Sequence, residues 1–229
     1  MRNPTMIVAI DGPSGAGKST LGKMLADEFG LLYIDTGAMY RAIALAVTKN
    51  QIELNDETKI IETALNSDLS LTGTPRNLRI ILNSTDVSAE IRTPEISQTA
   101  SIISTISAVR QNLVERQREI GNRFGNCVLD GRDIGTVVFP NANIKFFITA
   151  QPEIRAVRRF DELKAAAKAT TLEQTLREII ERDERDTNRK DSPLKVADDA
   201  LVIDTTELPI DKVFAEMVKN VREKQVQNV

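Results

Sequence analysis

Gly12-Pro13-Ser14-Gly15-Ala16-Gly17-Lys18-Ser19, followed by Thr20, fits the spacing G-x-x-x-x-G-K-[ST] of a phosphate-binding loop. Context decides whether such a match has meaning. Before it, Met6-Ile7-Val8-Ala9-Ile10 is short, apolar and rich in β-branched residues, the pattern of a buried strand. After it, Leu21, Met24, Leu25 and Phe29 recur at helical spacing, and Gly30 stands where a helix would stop. Glycines 12, 15 and 17 let the chain press close to an anion, and successive N–H groups then form a nest for phosphate oxygens. The positive end of the following helix adds to that field. Lys18 can reach the outer phosphates of a nucleoside triphosphate, and Ser19 can ligate Mg²⁺. An ordinary glycine-rich turn does not account for Lys18 and Ser19 at these positions.

The whole chain narrows the chemistry further. Its 229 residues are 41% apolar and 28% charged, enough for one α/β domain of moderate size with insertions. The net charge of −3 supplies no general pull toward nucleic acid or anionic membrane. No apolar run approaches a membrane span or a signal-peptide core, so a cytoplasmic setting is expected. Cys127 is the single cysteine, which excludes an internal disulfide, and its apolar neighbours mark it as a buried, inert thiol. Histidine is absent, which removes His general bases, His-ligated zinc and the Ser-His-Asp triad. Carboxylates, Lys, Arg, hydroxyls and bound Mg²⁺ remain, an inventory suited to phosphoryl transfer.

Further strands carry polar clusters at their carboxyl ends, where ligands bind in open α/β sheets. Leu31–Ile34 leads into Asp35-Thr36-Gly37-Ala38-Met39-Tyr40-Arg41, in which Asp35 or Thr36 can cap a helix and leave Arg41 free to grip a phosphate. Asn126–Leu129 leads into Asp130-Gly131-Arg132-Asp133, an acid–Arg–acid cluster suited to metal and phosphate. Ile144–Thr149 and Leu201–Asp204 are the fourth and fifth strands. Between residues 66 and 100 the pattern changes to short runs, Leu69–Thr72, Leu78–Asn83 and Thr85–Ser88, with a break at Gly73–Asn77. That reads as a small antiparallel insert. Pro94 to Phe124 is helical, in one or two pieces.

Pro152 opens a helix holding Arg155, Arg158 and Arg159, and Lys164–Ala169 resembles the solvated tip of a lid. Thr170 or Thr171 caps the next helix, with Leu172, Leu176, Ile179 and Ile180 expected on its buried side. Arg182, Arg185, Asp186 and Arg189 share one face of that helix. A last amphipathic helix carries Val213, Met217 and Val221, with a frayed tail expected from Glu223.

Four stretches, Asp11–Ser19, Asp35–Arg41, Asp130–Pro140 and Arg182–Arg189, together resemble the bacterial cytidylate kinases, nucleoside monophosphate kinases of the phosphate-loop class. The resemblance implies an α/β fold: a five-stranded parallel sheet with a small antiparallel β insert and a helical lid. It implies a core of residues 1–65, 101–155 and 190–229, an acceptor-binding insert at 66–100 and a lid at 156–189. It further implies ATP and Mg²⁺ at Gly12–Thr20, with Arg158 or Arg159 over the adenine. Arg41, Arg132 and Arg189 would grip the acceptor phosphate, while Ser101, Arg110 and Asp133 would read the cytosine. Arg182 and Asp186 would hold the ribose. Thr36 and Tyr40 belong to the same acceptor site, and Asp130 lies near metal and phosphates. Lys18, Asp130, Arg132, Arg182 and Arg189 are then the groups at the reaction centre. The implied reaction is in-line transfer from ATP to CMP or dCMP, giving CDP or dCDP, by a monomer whose partners are small molecules. Rival readings are a kinase for UMP or another small acceptor and a nucleotide-dependent switch acting through a partner.

Overall fold

The computed structural model describes residues 6–74 and 77–227. In chain order, β1 (Ile7–Asp11), α1 (Lys18–Phe29), β2 (Leu32–Asp35), α2 (Thr36–Lys49) and α3 (Glu57–Asn66) come first. Next come β3 (Leu69–Thr74), β4 (Asn77–Leu82), β5 (Thr85–Asp86), α4 (Pro94–Ile103), α5 (Ser107–Phe124) and β6 (Cys127–Asp130). The chain continues through β7 (Ile144–Thr149), α6 (Pro152–Ala165), α7 (Leu172–Asn188), β8 (Leu201–Asp204) and α8 (Ile210–Gln227).

Five of the strands form a parallel sheet in the order β2-β6-β1-β7-β8. The strand that feeds the glycine loop is therefore central, held by ladders on both sides. Its alternation divides the core. Val8 and Ile10 pack with Leu21 and Leu25 of α1 and Val213, Met217 and Val221 of α8. Ala9 packs on the other face with Ile34, Val114, Cys127 and Leu129. Burial pushes the Cys127 thiol up to about 12, so it stays protonated and inert. The edge strand β8 buries Ile203 but leaves Leu201 and Val202 exposed.

Strands β3, β4 and β5 make a separate antiparallel sheet over the second core, which gathers α2, α3, α4 and α5. Pro75 and Arg76 of the expected break lie outside the described residues. The long helical stretch is two helices. Ser104 Oγ donates to the Ser101 carbonyl and Thr105 Oγ1 to that of Ile102, and such local bonds compete with a continuing helix. The limits 100/101 and 155/156 fall inside α4 and α6, so continuous helix joins insert, core and lid segments.

Two expectations need correction. Leu172 and Ile180 are exposed, because the inward stripe of α7 runs through Thr175, Ile179, Asp186 and Arg189. Of the charged face expected on its lower half, Asp186 and Arg189 are buried. The tail after Glu223 also stays helical through Gln227, with Arg222 of the same helix 2.6 Å from Glu28 of α1. Among the described residues no helix is long and apolar enough to cross a membrane.

Candidate nucleotide-binding site

The loop between β1 and α1 has the backbone its sequence requires. Gly12, Gly15 and Gly17 have φ of 143°, 78° and 90°, the region that favours glycine. A Cβ on Gly12 would lie 1.9 Å from the Ile148 carbonyl oxygen of β7, so no other residue fits there. Gly12 and Pro13 thus sit behind the loop. Ser14, Gly15, Ala16, Gly17, Lys18, Ser19 and Thr20 line a cleft of about 530 Å³. Lys18 Nζ donates to the Pro13 carbonyl at 2.6 Å. Its burial, with Arg132 nearby, holds the ammonium well below its usual pKa. A buried cation in a positive field is prepared for an anion.

Asp130 joins this loop to the neighbouring strands. Its carboxylate accepts from Ser19 Oγ at 2.8 Å and from Tyr33 Oη at 2.9 Å, and its carbonyl accepts from Thr36 Oγ1 at 2.7 Å. Burial, with Asp35 beside it, raises the Asp130 carboxyl above the usual range. The described residues contain no cluster of three or more metal-ligating acidic, His or Cys side chains. Mg²⁺ is commonly held through one or two carboxylates, waters and phosphates, and the hydroxyl–carboxylate pair of Ser19 and Asp130 is a donor set of that kind.

A second, narrow pocket of about 50 Å³ opens beyond Gly131. Thr36, Tyr40, Ser101, Arg110, Arg132, Asp133, Arg182, Asp186 and Arg189 line it, bringing side chains from α2, α4, α5, α7 and the turn after β6 to one place. The pocket is held by charge. Arg110 meets Asp133 at 2.8 Å and Arg132 meets Asp186 at 2.7 Å, while Arg189 lies 3.3 Å from Asp186 and 4.0 Å from Asp133. Burial alone would raise Asp186, but Arg132, Arg182 and Arg189 together hold it below the ordinary carboxylate value. Burial and Arg132 depress Arg182 to about 10; burial and Arg110 do the same to Arg189. Tyr40 Oη, Arg182 Nε and Arg189 Nη2 are buried without a hydrogen-bond partner. Arg110 lies over the Tyr40 ring, 5.1 Å from its centroid.

One predicted residue stands apart from this group, and another has an added partner. Arg41 lines the larger cleft, paired with Asp35 at 2.7 Å; Asp35 itself caps α2 by accepting from the Ala38 amide. Ser101 accepts from Arg185 Nη1 at 2.6 Å, a partner not foreseen. The adenine-side alternatives also differ. Arg158 donates to Thr205 Oγ1 and to the Thr205 carbonyl, whereas Arg159 turns to Glu162. Thr205, Leu208, Pro209 and Ile210 complete that end of the cleft. They escaped the sequence reading, although they follow the carboxyl end of β8, where the sheet rule directs attention.

Asp11 was quoted with the loop but given no role. It accepts the amides of Ile134 at 2.8 Å and Gly135 at 2.7 Å. It thereby fixes the start of a short π-helical turn, Ile134–Val138, directly after Asp133. Burial, partly offset by those amides, raises its carboxyl to about 6.

Residues 8–223 match the cytidylate kinase family. The chain is 50% identical over 222 residues to a cytidylate kinase of Caldanaerobacter subterraneus, covering 97% of each chain. It is 45% identical over 227 residues to one from Geobacter, covering 99% of this chain and 97% of that one. Among solved structures, an uncharacterized protein from Eubacterium ventriosum shares the fold at a TM-score of 0.52 and 12% identity, over 96% of this chain and 99% of that one. A glycine loop on the central strand, a charged pocket beside it and family-wide similarity along almost its full length place this chain in the cytidylate kinase family.

Proposed function

We propose that this protein transfers the γ-phosphoryl group of ATP to CMP or dCMP, giving ADP and CDP or dCDP. One observation carries the reading beyond family membership: Arg132 and Arg182 line both the large cleft and the narrow pocket. They stand where a group passing from one site to the other would be. ATP would lie in the cleft, its phosphates on the loop amides and Lys18, its adenine toward Arg158 and Thr205. The acceptor would enter the narrow pocket. Arg41, Arg132 and Arg189 would take its phosphate, and Asp186 with Arg182 its sugar.

An oxygen of the acceptor phosphate attacks the γ-phosphorus as the bond to the β,γ-bridging oxygen breaks. Above pH 7 that phosphate is already largely ionised, so no strong base is needed. Alignment and charge neutralisation carry the rate. Ser19 and Asp130 would hold Mg²⁺, which supplies charge neutralisation on the ATP phosphates. Asp133 would accept from the 4-amino group of cytosine and repel the carbonyl of uracil, while Arg110 donates to the ring's acceptors. Residues 66–100 and 156–189 act as insert and lid, closing on substrates and excluding water. The protein would act as a monomer on small-molecule substrates, in the cytoplasm.

The test is ADP release from ATP and Mg²⁺ with CMP, dCMP, UMP, AMP or GMP supplied in turn. Rapid release with CMP and dCMP and near-background release with the purines is expected. Background release with every nucleotide would overturn the proposal.

A further inference from the structure

Arg155 lies in the first turn of α6, six residues after the end of β7, and its side chain is only 4% exposed. Its guanidinium touches three elements. Nε donates to the Ala150 carbonyl at 2.7 Å, Nη1 donates to the Ser14 carbonyl in the phosphate loop at 3.1 Å, and the same Nη1 meets Asp183 Oδ2 on α7 at 2.6 Å. The loop is pressed against this residue, since a Cβ on Gly15 would come within 3.2 Å of the Arg155 backbone oxygen and Cβ. One nitrogen thus connects the donor loop to the helix that carries Arg182, Asp186 and Arg189.

The far end of that connection is incompletely satisfied. Asp183 Oδ1 and the neighbouring Arg182 Nε are buried without partners. A buried, unpaired polar atom is costly, so a small movement of α7 that supplied partners would be favoured. Phosphate oxygens arriving on the loop supply negative charge beside Ser14. They also draw on Arg182, which already lines the donor cleft.

We infer that Arg155 is a positioning residue: through Ser14 and Asp183 it makes occupation of the donor loop set the place of α7, so that bound ATP raises the affinity for the acceptor. The inference rests on the two-site reading above. It adds a coupling between sites that neither pocket reveals alone. Coupling of this kind is reciprocal, and the acceptor raises donor affinity by the same factor.

The experiment is calorimetric titration of CMP into the full chain, with and without Mg²⁺ and a non-hydrolysable imido analogue of ATP. In the wild type the analogue should raise CMP affinity at least about fivefold, the lower bound of ordinary coupling between sites. In Asp183→Asn and in Arg155→Lys, which keeps the charge but loses the planar fork, the gain should fall below about twofold. CMP affinity without the analogue should stay within about twofold of wild type, a pattern that a general loss of structure would not give. Asp183→Glu should recover most of the gain. If the single variants do not fold, Arg155→Met with Asp183→Leu removes both charges together, and its gain should also be lost. A full gain in any of the uncoupling variants, or no gain in the wild type, would overturn the inference. A wild type that bound no CMP in either state would overturn the acceptor reading and the coupling with it, and is told apart from a loss of coupling alone.

Discussion

The proposed donor cleft and the proposed acceptor pocket sit side by side but are built from different material. The donor side is backbone: three glycines at positive φ, the amides they expose and the first turn of α1, all within nine consecutive residues. The acceptor side is side chains: Arg110, Arg132, Asp133, Asp186 and Arg189, drawn from distant parts of the chain and held against one another by ion pairs. The donor cleft is about ten times the volume of the acceptor pocket, at about 530 against 50 Å³. The amides of a backbone nest carry no net charge of their own and can stand open. A pocket of paired charges draws inward and must be spread by its ligand.

The largest effect expected tests the donor side alone. Lys18→Met should lower kcat about 1,000-fold, some 4 kcal/mol of lost charge stabilisation, with CMP affinity within about twofold of wild type by titration. If CMP binding fell in parallel, the two sides would not be separate.

The next concerns Asp11, which ends the donor strand yet holds the turn after Asp133. Its folded-state value of about 6 lies above that of the unfolded chain. The folded protein therefore holds this proton more tightly, and the stability it contributes is greatest at low pH. That contribution is lost as pH rises from about 4 through about 6, by about 3 kcal/mol in all. Asp11→Asn stays neutral. Its unfolding free energy relative to wild type should climb by about 3 kcal/mol across that window in urea titrations and be level above pH 7. A flat difference from pH 4 to pH 7 would show that Asp11 is charged throughout.

On the acceptor side, Asp133→Asn should cut kcat/KM for CMP about 100-fold and leave the Kd for ATP within about twofold. Equal losses for both ligands would remove the proposed base-reading role. The smallest effect concerns the seam. Tyr33→Phe deletes a hydrogen bond to a buried carboxylate and should lower stability by about 1.5 kcal/mol in denaturant unfolding, with the KM for CMP unchanged.

The same contrast explains what could be read from the chain. The phosphate loop was legible because its requirement is local: glycines, a lysine and a hydroxyl at fixed spacing between a strand and a helix. The parallel sheet was legible from its short apolar runs. The antiparallel insert was legible from alternation, although α3, capped by Asp56, passed unnoticed ahead of it. Helix α7 was misread where apolar periodicity competed with buried charge. Ile180 looks like a core residue, and only the packed structure shows that its neighbour Ile179 turns inward while Ile180 stays exposed. Arg155 was invisible as a link because its partners, Ser14 and Asp183, are 141 and 28 positions away in the chain. Tyr33 was hidden for the same reason: a tyrosine in a strand carries no mark of the carboxylate it will meet on the neighbouring strand β6, 97 positions away in the chain.

Two buried polar atoms of the acceptor pocket that lack a hydrogen-bond partner, Tyr40 Oη and Arg182 Nε, have a consequence for the life of the protein in a cell. A buried polar atom without a partner destabilises the fold, and a ligand that supplied one and bound only the folded state at about 100 times its Kd would add about 2.7 kcal/mol. The fraction of molecules exposed to proteases falls with that gain, about 100-fold, wherever cleavage tracks the unfolded population. A cell rich in nucleotides would thus preserve this protein, and a starved one would clear it faster without any change in its synthesis.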